Sequence, residues 1–292
     1  MIFPPEQGSL KQTPSAGSFR EPVRLALLGH PVGHSLSPLM HSAALKFLNL
    51  AGSYEAWDVS DLKEAVEKLR REEYRGASVT IPFKREVMAL LDDLDDQARA
   101  IGAVNTLIRQ GGRFVGTNTD WEGLLRALRK KMEIRGKRAV VLGAGGTARA
   151  ALYGLLSEGG IPLVVNRTEE HGRALAAEFG CPFYSLEAIG ELKGDVLINT
   201  TPVGMTPNTD ASPVPASLLR RFRLVADVIY NPLRTRLLRE AEQAGCAVLS
   251  GVEMFVEQGA AQFRLWTGME PPVDQMRQVV REELERREKE RR

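Results

Sequence analysis

The sequence predicts an α/β protein of two units, each built from alternating strands and helices. Short apolar runs of strand length recur along the 292 residues, and the segments between them carry apolar residues at helical spacing. At about 150 residues per domain, this length indicates about two domains. The apolar runs of the later part are continuous, which is typical of a parallel sheet with both faces covered.

The first unit is predicted to follow a mobile leader, residues 1–20, which is rich in Pro, Gly and Ser and lacks the apolar segment of a signal peptide. Ser37 and Pro38 are predicted to open a helix, since serine is favoured at the N-cap and proline at the first helical position. The remaining elements are expected to be strands at 23–29, 53–60 and 76–82, a helix at 61–73, helical pieces over 87–103 and a hairpin over 105–120.

The second unit is predicted to begin near Gly123 with a connecting helix and to continue as a β-α-β series. A strand, a glycine turn and a helix are expected over 137–160. Further strands are expected at 161–168, 195–204, 224–232 and 246–251, with helices at 169–180 and 233–245. Two more helices are expected to follow Gly251 and close the chain.

Composition argues against several classes of partner. Lys and Arg number 39 against 37 Asp and Glu, a net charge of only +2, so we expect neither nucleic-acid nor membrane-surface binding. No apolar run reaches the roughly 18 residues that cross a bilayer. The two cysteines, Cys181 and Cys246, stand far apart and form no disulfide or zinc pattern, which favours a cytoplasmic protein.

A glycine turn, GAGGTA at residues 143–148, follows the strand AVVL and opens a helix. It fits the pattern G-x-G-x-x-G/A, in which glycines allow a tight turn and bring a pyrophosphate onto the helix N-terminus. The alternative is a turn that serves only helix packing, but the strand, helix and following strand of a Rossmann-like dinucleotide site are all present. The predicted cofactor contacts here are Gly143, Ala144, Gly145, Gly146 and Thr147.

The end of the next strand distinguishes NAD from NADP. An NAD site places an acidic residue there to bind the ribose 2′-hydroxyl. This chain has Asn166, Arg167 and Thr168 instead. An arginine suits a 2′-phosphate because its planar guanidinium grips phosphate oxygens, so we predict NADP. The alternative is a surface arginine at a strand end.

The stretch GHPVGHSLSPLMH, residues 29–41, holds three of the four histidines and two serines. It could form a metal site, carry a serine nucleophile or cradle an anion. No acidic or cysteine ligand accompanies the histidines, so we predict no metal, and a nucleophile would want a GxSxG turn that is absent. Ser35 and Ser37 would supply hydroxyl donors beside a helix N-terminus.

Eight motifs stand in order along the chain: GHPVGHSLSPLMH (29–41), SVTIPFK (78–84), GAVNTL (102–107), GTNTDWEG (116–123), GAGGTARA (143–150), NRT (166–168), DVIYNPLRTRLL (227–238) and GVEMFVEQGAAQFRLWTG (251–268). Together they resemble the ordered motifs of the shikimate dehydrogenase family over about residues 23–270.

The resemblance implies two α/β domains around a cleft: a substrate-binding domain, residues 21–122 plus 252–292, and a Rossmann-like NADP-binding domain, residues 123–251. It implies reversible reduction of 3-dehydroshikimate to shikimate with NADPH, a step of aromatic amino acid biosynthesis. The only partners implied are this small-molecule substrate and the cofactor, in a monomer or homodimer.

The resemblance also implies roles for individual residues. Lys84 and Asp120 would together transfer the proton of the reaction, although alone they would pass for a loop lysine and a helix N-cap. Ser35 and Ser37 would hold the substrate carboxylate, which leaves His30, His34 and His41 as structural residues. Contacts to the rest of the substrate would come from Thr80, Asn105, Tyr230 and Gln258. Further cofactor contacts would come from Val228, Gly251, His171 and, less directly, Asp96.

Four positions depart from the family pattern. Ser78 and Ser42 each replace an asparagine, and residues 199–201 read NTT where NAT is common. His171 stands where a second basic residue often follows NRT. A neutral imidazole grips a phosphate less well, so the preference for NADP is expected to be modest and to weaken at high pH.

Three other functions fit parts of this pattern. A quinate/shikimate dehydrogenase that uses NAD would want an acidic residue after the second strand of the cofactor unit. A non-catalytic nucleotide-binding regulator on the same fold would have no need of both Lys84 and Asp120. A methylene-tetrahydrofolate-type dehydrogenase of similar layout would leave the paired serines unexplained.

Overall fold

The computed structural model describes residues 22–290, so the predicted leader lies outside the described part. The described chain divides into two compact units. The first comprises residues 22–119 and 259–279, and the second comprises residues 120–258 and 280–290. Both are α/β, as the sequence predicts. Within residues 22–290, no helix is both long and apolar enough to cross a membrane.

The first unit is built on a mixed sheet of six strands with the spatial order β2-β1-β3-β5-β6-β4. The strands β1, β2 and β3 run parallel, and β5 pairs antiparallel with both β3 and β6. Three helices belong wholly to this unit. The elements are β1 (Val23–Gly29), α1 (Ser37–Phe47), β2 (Gly52–Asp58), α2 (Leu62–Arg71), β3 (Gly76–Val79), β4 (Asp93–Leu94), α3 (Asp96–Ile101), β5 (Thr106–Gln110) and β6 (Arg113–Thr117).

The second unit is built on an all-parallel sheet of six strands with the order β12-β11-β10-β7-β8-β9. Its elements are α4 (Asp120–Arg129), β7 (Arg138–Leu142), α5 (Gly146–Ser157), β8 (Ile161–Asn166), α6 (Glu169–Phe179), β9 (Phe183–Ser185), β10 (Val196–Asn199), α7 (Ala216–Leu219), β11 (Leu224–Asp227), α8 (Arg236–Gln243) and β12 (Ala247–Leu249). Two last helices, α9 (Gly251–Thr267) and α10 (Val273–Glu290), contribute residues to both units.

The parallel sheet is covered on both faces, which explains its continuous apolar strands. Along β7, Ala139 and Val141 belong to one buried cluster, whereas Val140 and Leu142 belong to another. Since successive strand residues point to opposite faces, both faces of β7 must be apolar. The prediction of a parallel sheet in this part of the chain is therefore confirmed.

One local prediction of helix structure is wrong. The sequence places Ser37 at the N-cap of the first helix, but Leu36 occupies that position and no side chain caps the helix. Ser37 is already the first helical residue, and its N–H donates to the hydroxyl of Ser35 at 3.2 Å. Asp120, for which an N-cap is the alternative to a catalytic role, lies within the first turn of α4.

The segment over residues 87–103 is less helical than its composition indicates. It contains a 3₁₀ turn (Glu86–Leu90), the two-residue strand β4 and only then α3. The side chain of Asp92 accepts from the N–H of Phe114 at 2.7 Å and pairs with Arg70. These contacts with β6 and α2 hold the segment extended at this point, and local sequence alone does not reveal them.

Close packing in the first unit depends on a glycine in β3. A Cβ added at Gly76 would overlap the indole nitrogen of Trp266 and the carbonyl oxygen of Leu107. The same indole N–H donates to Leu107 O at 2.8 Å, and the Trp266 side chain is fully buried. Gly76 therefore lets α9 approach the sheet closely enough to form this bond.

A buried carboxyl group at the end of β11 joins several segments of the second unit. Asp227 accepts from the Thr235 hydroxyl at 2.7 Å, the Asn199 amide at 3.0 Å and the Ile229 N–H at 3.1 Å. Burial is the largest influence on this group and, despite the three donors, raises the pKa of Asp227 to about 7.

We predict that Gly76→Ala destabilises the protein by about 2–3 kcal/mol, because the new methyl group must displace Trp266 or the strand. Urea unfolding followed by tryptophan fluorescence measures this change. Gly33→Ala is the control, since a Cβ there meets no atom within 4 Å. Equal stability of the two variants would contradict the packing role of Gly76.

We predict that Asp227→Asn gains stability relative to the unaltered chain as pH rises. The folded chain binds the Asp227 proton more tightly than the unfolded chain, in which an aspartate titrates near 3.8. The resulting stabilisation is full below about pH 4 and is lost as pH rises through about 7. The difference in unfolding free energy, variant minus unaltered chain, should increase by about 2 kcal/mol between about pH 5 and 8.

Urea unfolding at each pH measures this difference, with the exposed Asp210→Asn as the control. A difference that stays constant over this range would show that Asp227 does not ionise within it.

Candidate active site

The carboxyl ends of β1 and β3 carry two predicted site segments of the first unit. Because these strands are parallel neighbours, the loops that follow them leave the same edge of the sheet. Thr80 N–H donates to Leu28 O at 2.9 Å, and His30 N–H donates to Ile81 O at 3.0 Å. The serine loop and the loop that leads to Lys84 are thus joined at their starts.

The paired serines lie at the start of α1. The hydroxyl of Ser35 donates to the hydroxyl of Ser37 at 3.3 Å and accepts from the backbone N–H of Ser37. No acidic residue lies in the first turn of this helix. Two neighbouring hydroxyl groups at the positive end of a helix dipole form an arrangement suited to a carboxylate.

Two histidines of this motif, His30 and His41, have separate surroundings. His30 contacts Asp58 with 2.6 Å between Nδ1 and Oδ1, at the surface. His41 is fully buried, stacks on Tyr54 with 4.6 Å between ring centroids and lies against Trp266. Burial lowers the pKa of His41 to about 3, so the ring is neutral and serves packing. Among residues 22–290, no three His, Cys, Asp or Glu side chains come together as a metal site would require.

Lys84 is half-buried in a tight turn that follows β3. The turn is closed by a bond from Phe83 N–H to Thr80 O at 2.9 Å. The carbonyl of Lys84 accepts from Val104 N–H at 2.7 Å, one residue before Asn105. Thr80, Lys84 and Asn105 are therefore held on neighbouring backbone segments of the first unit.

Asn105 directly precedes β5 and is buried. Its Oδ1 accepts from the Thr106 hydroxyl at 2.7 Å and from Thr119 N–H at 2.8 Å, and its Nδ2 donates to Thr119 Oγ1 at 3.0 Å. Its backbone carbonyl accepts from Val79 N–H and from Gln262 Nε2. The orientation of this amide is thus determined by neighbours on several segments.

The glycine turn of the second unit has the geometry of a dinucleotide site. Gly143 has a φ of +113°, which side chains disfavour, and a Cβ there would lie 2.7 Å from Thr200 Oγ1. A Cβ at Gly145, the N-cap of α5, would meet nothing within 4 Å. Helix α5 begins at Gly146, and Ala144 and Thr147 belong to the same turn. The open space beside Gly145 and the N-terminus of α5 fit a pyrophosphate.

The residues after β8 fit the phosphate of NADP rather than the free ribose of NAD. The strand ends in Asn166, an amide where an NAD site has a carboxylate, and its Nδ2 donates to Thr168 O at 2.8 Å. Arg167 and His171 are both exposed. Arg173, two residues after His171 in α6, pairs with Glu169 at 2.9 Å and stacks on Phe183.

The end of β11 and the start of α9 carry further predicted residues. Val228 N–H donates to Asn199 O at 3.0 Å, and the ring of Tyr230 stacks on Phe255 at 4.2 Å. A Cβ on Gly251 would overlap the Ile229 carbonyl, so the helix begins directly against this strand end. Val228, Tyr230 and Gly251 therefore belong to one cluster of the second unit.

Gln258 and Asp120 are buried on neighbouring helices of the second unit. A Cβ on Gly123 in α4 would lie 2.7 Å from Gln258 N, so α4 and α9 pack closely there. Gln258 Nε2 donates to Phe255 O at 2.8 Å. Asp120 is the first residue of α4, whereas Lys84 and Asp96 belong to the first unit, where Asp96 is exposed at the start of α3.

Several residues around Asn105 were missed by sequence reasoning. Gln262, Thr106 and Thr119 all bond to Asn105, and Gln262 also accepts from Ser78 at 2.9 Å. Ser78 was noted only as a departure from the family pattern, yet its hydroxyl also accepts from Tyr54 at 2.7 Å. The only sign of these residues in the sequence is that they are polar at positions where the local apolar spacing predicts buried side chains.

Family models match three parts of the chain. Residues 27–107 match the shikimate dehydrogenase substrate binding domain. Residues 126–203 match shikimate / quinate 5-dehydrogenase, and residues 251–281 match the shikimate 5'-dehydrogenase C-terminal domain.

Curated relatives extend this similarity over most of the chain. A shikimate dehydrogenase (NADP(+)) of Methanopyrus kandleri is 47% identical, covering 89% of this chain and 95% of the relative. That of Methanothermobacter thermautotrophicus is 44% identical, covering 89% and 96%.

A solved structure agrees in fold. The crystal structure of shikimate 5-dehydrogenase from Thermus thermophilus in complex with NADP(H) and shikimate superposes with a TM-score of 0.83 at 43% identity, covering 89% of this chain and 99% of that one. The resemblance drawn from the eight motifs is confirmed: the chain belongs to the shikimate dehydrogenase family.

Proposed function

We propose that this chain is an NADP-dependent shikimate dehydrogenase that reversibly reduces 3-dehydroshikimate to shikimate, a step of aromatic amino acid biosynthesis. The observation that carries the proposal is the strand end after β8, which has Arg167 and no carboxylate, in a family whose curated relatives here bear the name shikimate dehydrogenase (NADP(+)). The free thiols of Cys181 and Cys246 fit a cytoplasmic location.

The first unit supplies the groups that recognise the substrate. Ser35 and Ser37 bind the carboxylate of shikimate with their hydroxyl groups at the start of α1. Thr80 and Asn105 bind ring hydroxyl groups from adjoining backbone segments. The resemblance assigns Tyr230 and Gln258, which belong to the second unit, to the substrate as well. This set of donors suits a small, polyhydroxylated anion.

Lys84 and Asp120 carry the proton transfer. When the carbonyl of 3-dehydroshikimate is reduced, the Lys84 ammonium donates a proton to the developing alkoxide oxygen. In the reverse direction neutral Lys84 accepts the proton of the hydroxyl group. The resemblance assigns the carboxylate of Asp120, which is buried at the start of α4, to the same proton transfer.

The second unit holds the cofactor. Residues 143–147 bind the pyrophosphate at the N-terminus of α5, and Asn166, Arg167, Thr168 and His171 bind the adenosine end with its 2′-phosphate. Val228 and Gly251 adjoin the nicotinamide, and Asp96 is assigned to the cofactor on the resemblance alone. When bound, NADPH supplies the hydride that reduces the carbonyl carbon.

Quinate is the principal alternative substrate, since the family model over residues 126–203 is described as shikimate / quinate 5-dehydrogenase. Initial rates distinguish the two when shikimate and quinate are each combined with NADP and with NAD. Fast turnover only with shikimate and NADP supports the proposal. Comparable rates with quinate or NAD would assign the chain to a broader-specificity dehydrogenase, and no turnover with any pair would favour a nucleotide-binding regulator.

We predict that Lys84→Ala lowers kcat by about 10²–10⁴-fold while the KM for shikimate changes little, because a proton donor is lost but the carboxylate contacts remain. Steady-state rates of NADP reduction measure both constants. Lys46→Ala, which removes an exposed lysine of the same unit, is the control and should leave kcat unchanged. Normal turnover by Lys84→Ala would rule out its catalytic role.

We predict that Arg167→Gln raises the KM for NADP about tenfold and leaves the KM for NAD unchanged, because the lost guanidinium contacts only the 2′-phosphate. The matched control is Arg173→Gln, since Arg173 is already engaged with Glu169 and Phe183. A parallel loss of affinity for both cofactors would contradict the assignment.

A further inference from the structure

A chain of buried hydrogen bonds crosses the first unit and ends on the Asn105 side chain. The Tyr54 hydroxyl donates to Ser78 Oγ at 2.7 Å, and Ser78 donates to Gln262 Oε1 at 2.9 Å. Gln262 Nε2 donates to Thr106 Oγ1 at 2.9 Å, and Thr106 donates to Asn105 Oδ1 at 2.7 Å. Every side chain in the series is buried.

The direction of this chain is fixed by backbone groups. Gln262 Nε2 lies 3.0 Å from the carbonyl oxygen of Asn105, which can only accept, so the amide of Gln262 cannot be reversed. Its second N–H then occupies a lone pair of Thr106 Oγ1. The Thr106 proton then goes to Asn105 Oδ1 at 2.7 Å, a much shorter contact than the 3.5 Å to Thr119 Oγ1.

A second bond to Asn105 Oδ1 also comes from a donor. The N–H of Thr119, which can only donate, lies 2.8 Å from Asn105 Oδ1. With Oδ1 committed to donors inside the protein, any bond from Asn105 to a ligand hydroxyl is made by Nδ2 as the donor. The bond series thus determines the orientation of the amide, and Nδ2, its donor side, also donates to Thr119 Oγ1 at 3.0 Å.

We propose that Gln262 and Thr106 are positioning residues that hold the Asn105 amide with Nδ2 as the donor for a substrate hydroxyl. This inference rests on the proposed function, in which Asn105 contacts shikimate. Neither residue needs to touch the substrate. Their contribution is a binding interaction that is oriented before the substrate arrives, which avoids the free-energy cost of ordering the amide on binding.

The test uses Thr106→Val, which removes the hydroxyl but keeps the shape of the side chain. We expect the KM for shikimate to rise about tenfold, with kcat and the KM for NADP within about threefold. Thr106→Ser keeps the hydroxyl and should restore a KM close to that of the unaltered chain. Thr267→Val is the matched control, because Thr267 is equally buried and donates to Phe263 O, away from Asn105.

A second variant, Gln262→Met, tests the same series of hydrogen bonds one residue earlier. It replaces Thr106→Val as the test if that variant folds poorly. It removes both amide donors at similar length, so it should raise the KM for shikimate by about the same factor. Because both substitutions disturb the same series of bonds that ends on Asn105 Oδ1, the double variant should show about a tenfold rise in KM rather than about a hundredfold rise.

An unchanged KM for shikimate in folded Thr106→Val and Gln262→Met would overturn the inference while leaving the proposed function intact. The inference would also be overturned if kcat fell and the KM for NADP rose by the same factor as the KM for shikimate, since such changes indicate general damage to the fold. If the unaltered chain does not oxidise shikimate at all, the proposed function fails, and this inference fails with it.

Discussion

The first unit depends on the pairing of polar groups that are buried together around Asn105. A buried amide or hydroxyl group without a partner costs about 1–3 kcal/mol, so each must find its bond inside the protein. Segments far apart in sequence meet this requirement jointly: Gln262 lies 157 residues from Asn105 along the chain. The same bonds that satisfy the interior also determine the orientation of a side chain assigned to substrate binding.

The second unit is subject to a different constraint, and its backbone rather than its side chains satisfies it. Dinucleotide binding needs a pyrophosphate to approach a helix N-terminus, so side chains must be absent where the ligand lies. Gly143 turns with a positive φ beside Thr200, and Gly145 leaves open space at the start of α5. In the proposed function, the polar groups of the first unit contribute most to substrate recognition and the exposed backbone of the second unit contributes to cofactor recognition.

The sequence predicts most of this arrangement because its strongest signals are local. The continuous apolar strands of the parallel sheet and the glycine turn each follow from neighbouring residues, as with Val140 and Val141, which face opposite covered surfaces. The N-cap prediction for Ser37 is wrong because the helix already includes Ser37, whose N–H donates to the hydroxyl of Ser35. Gln262 could not be identified as a partner of Asn105, since its hydrogen bonds reach residues that are far away along the chain. The catalytic roles of Lys84 and Asp120 stay predictions.

The most direct test of this account is a crystal structure of the protein with shikimate and NADP bound. The account predicts that the shikimate carboxylate lies within about 3 Å of the hydroxyl groups of Ser35 and Ser37 and that Asn105 Nδ2 donates to a ring hydroxyl. A carboxylate held elsewhere, or an Asn105 amide turned so that Oδ1 faces the substrate, would contradict it.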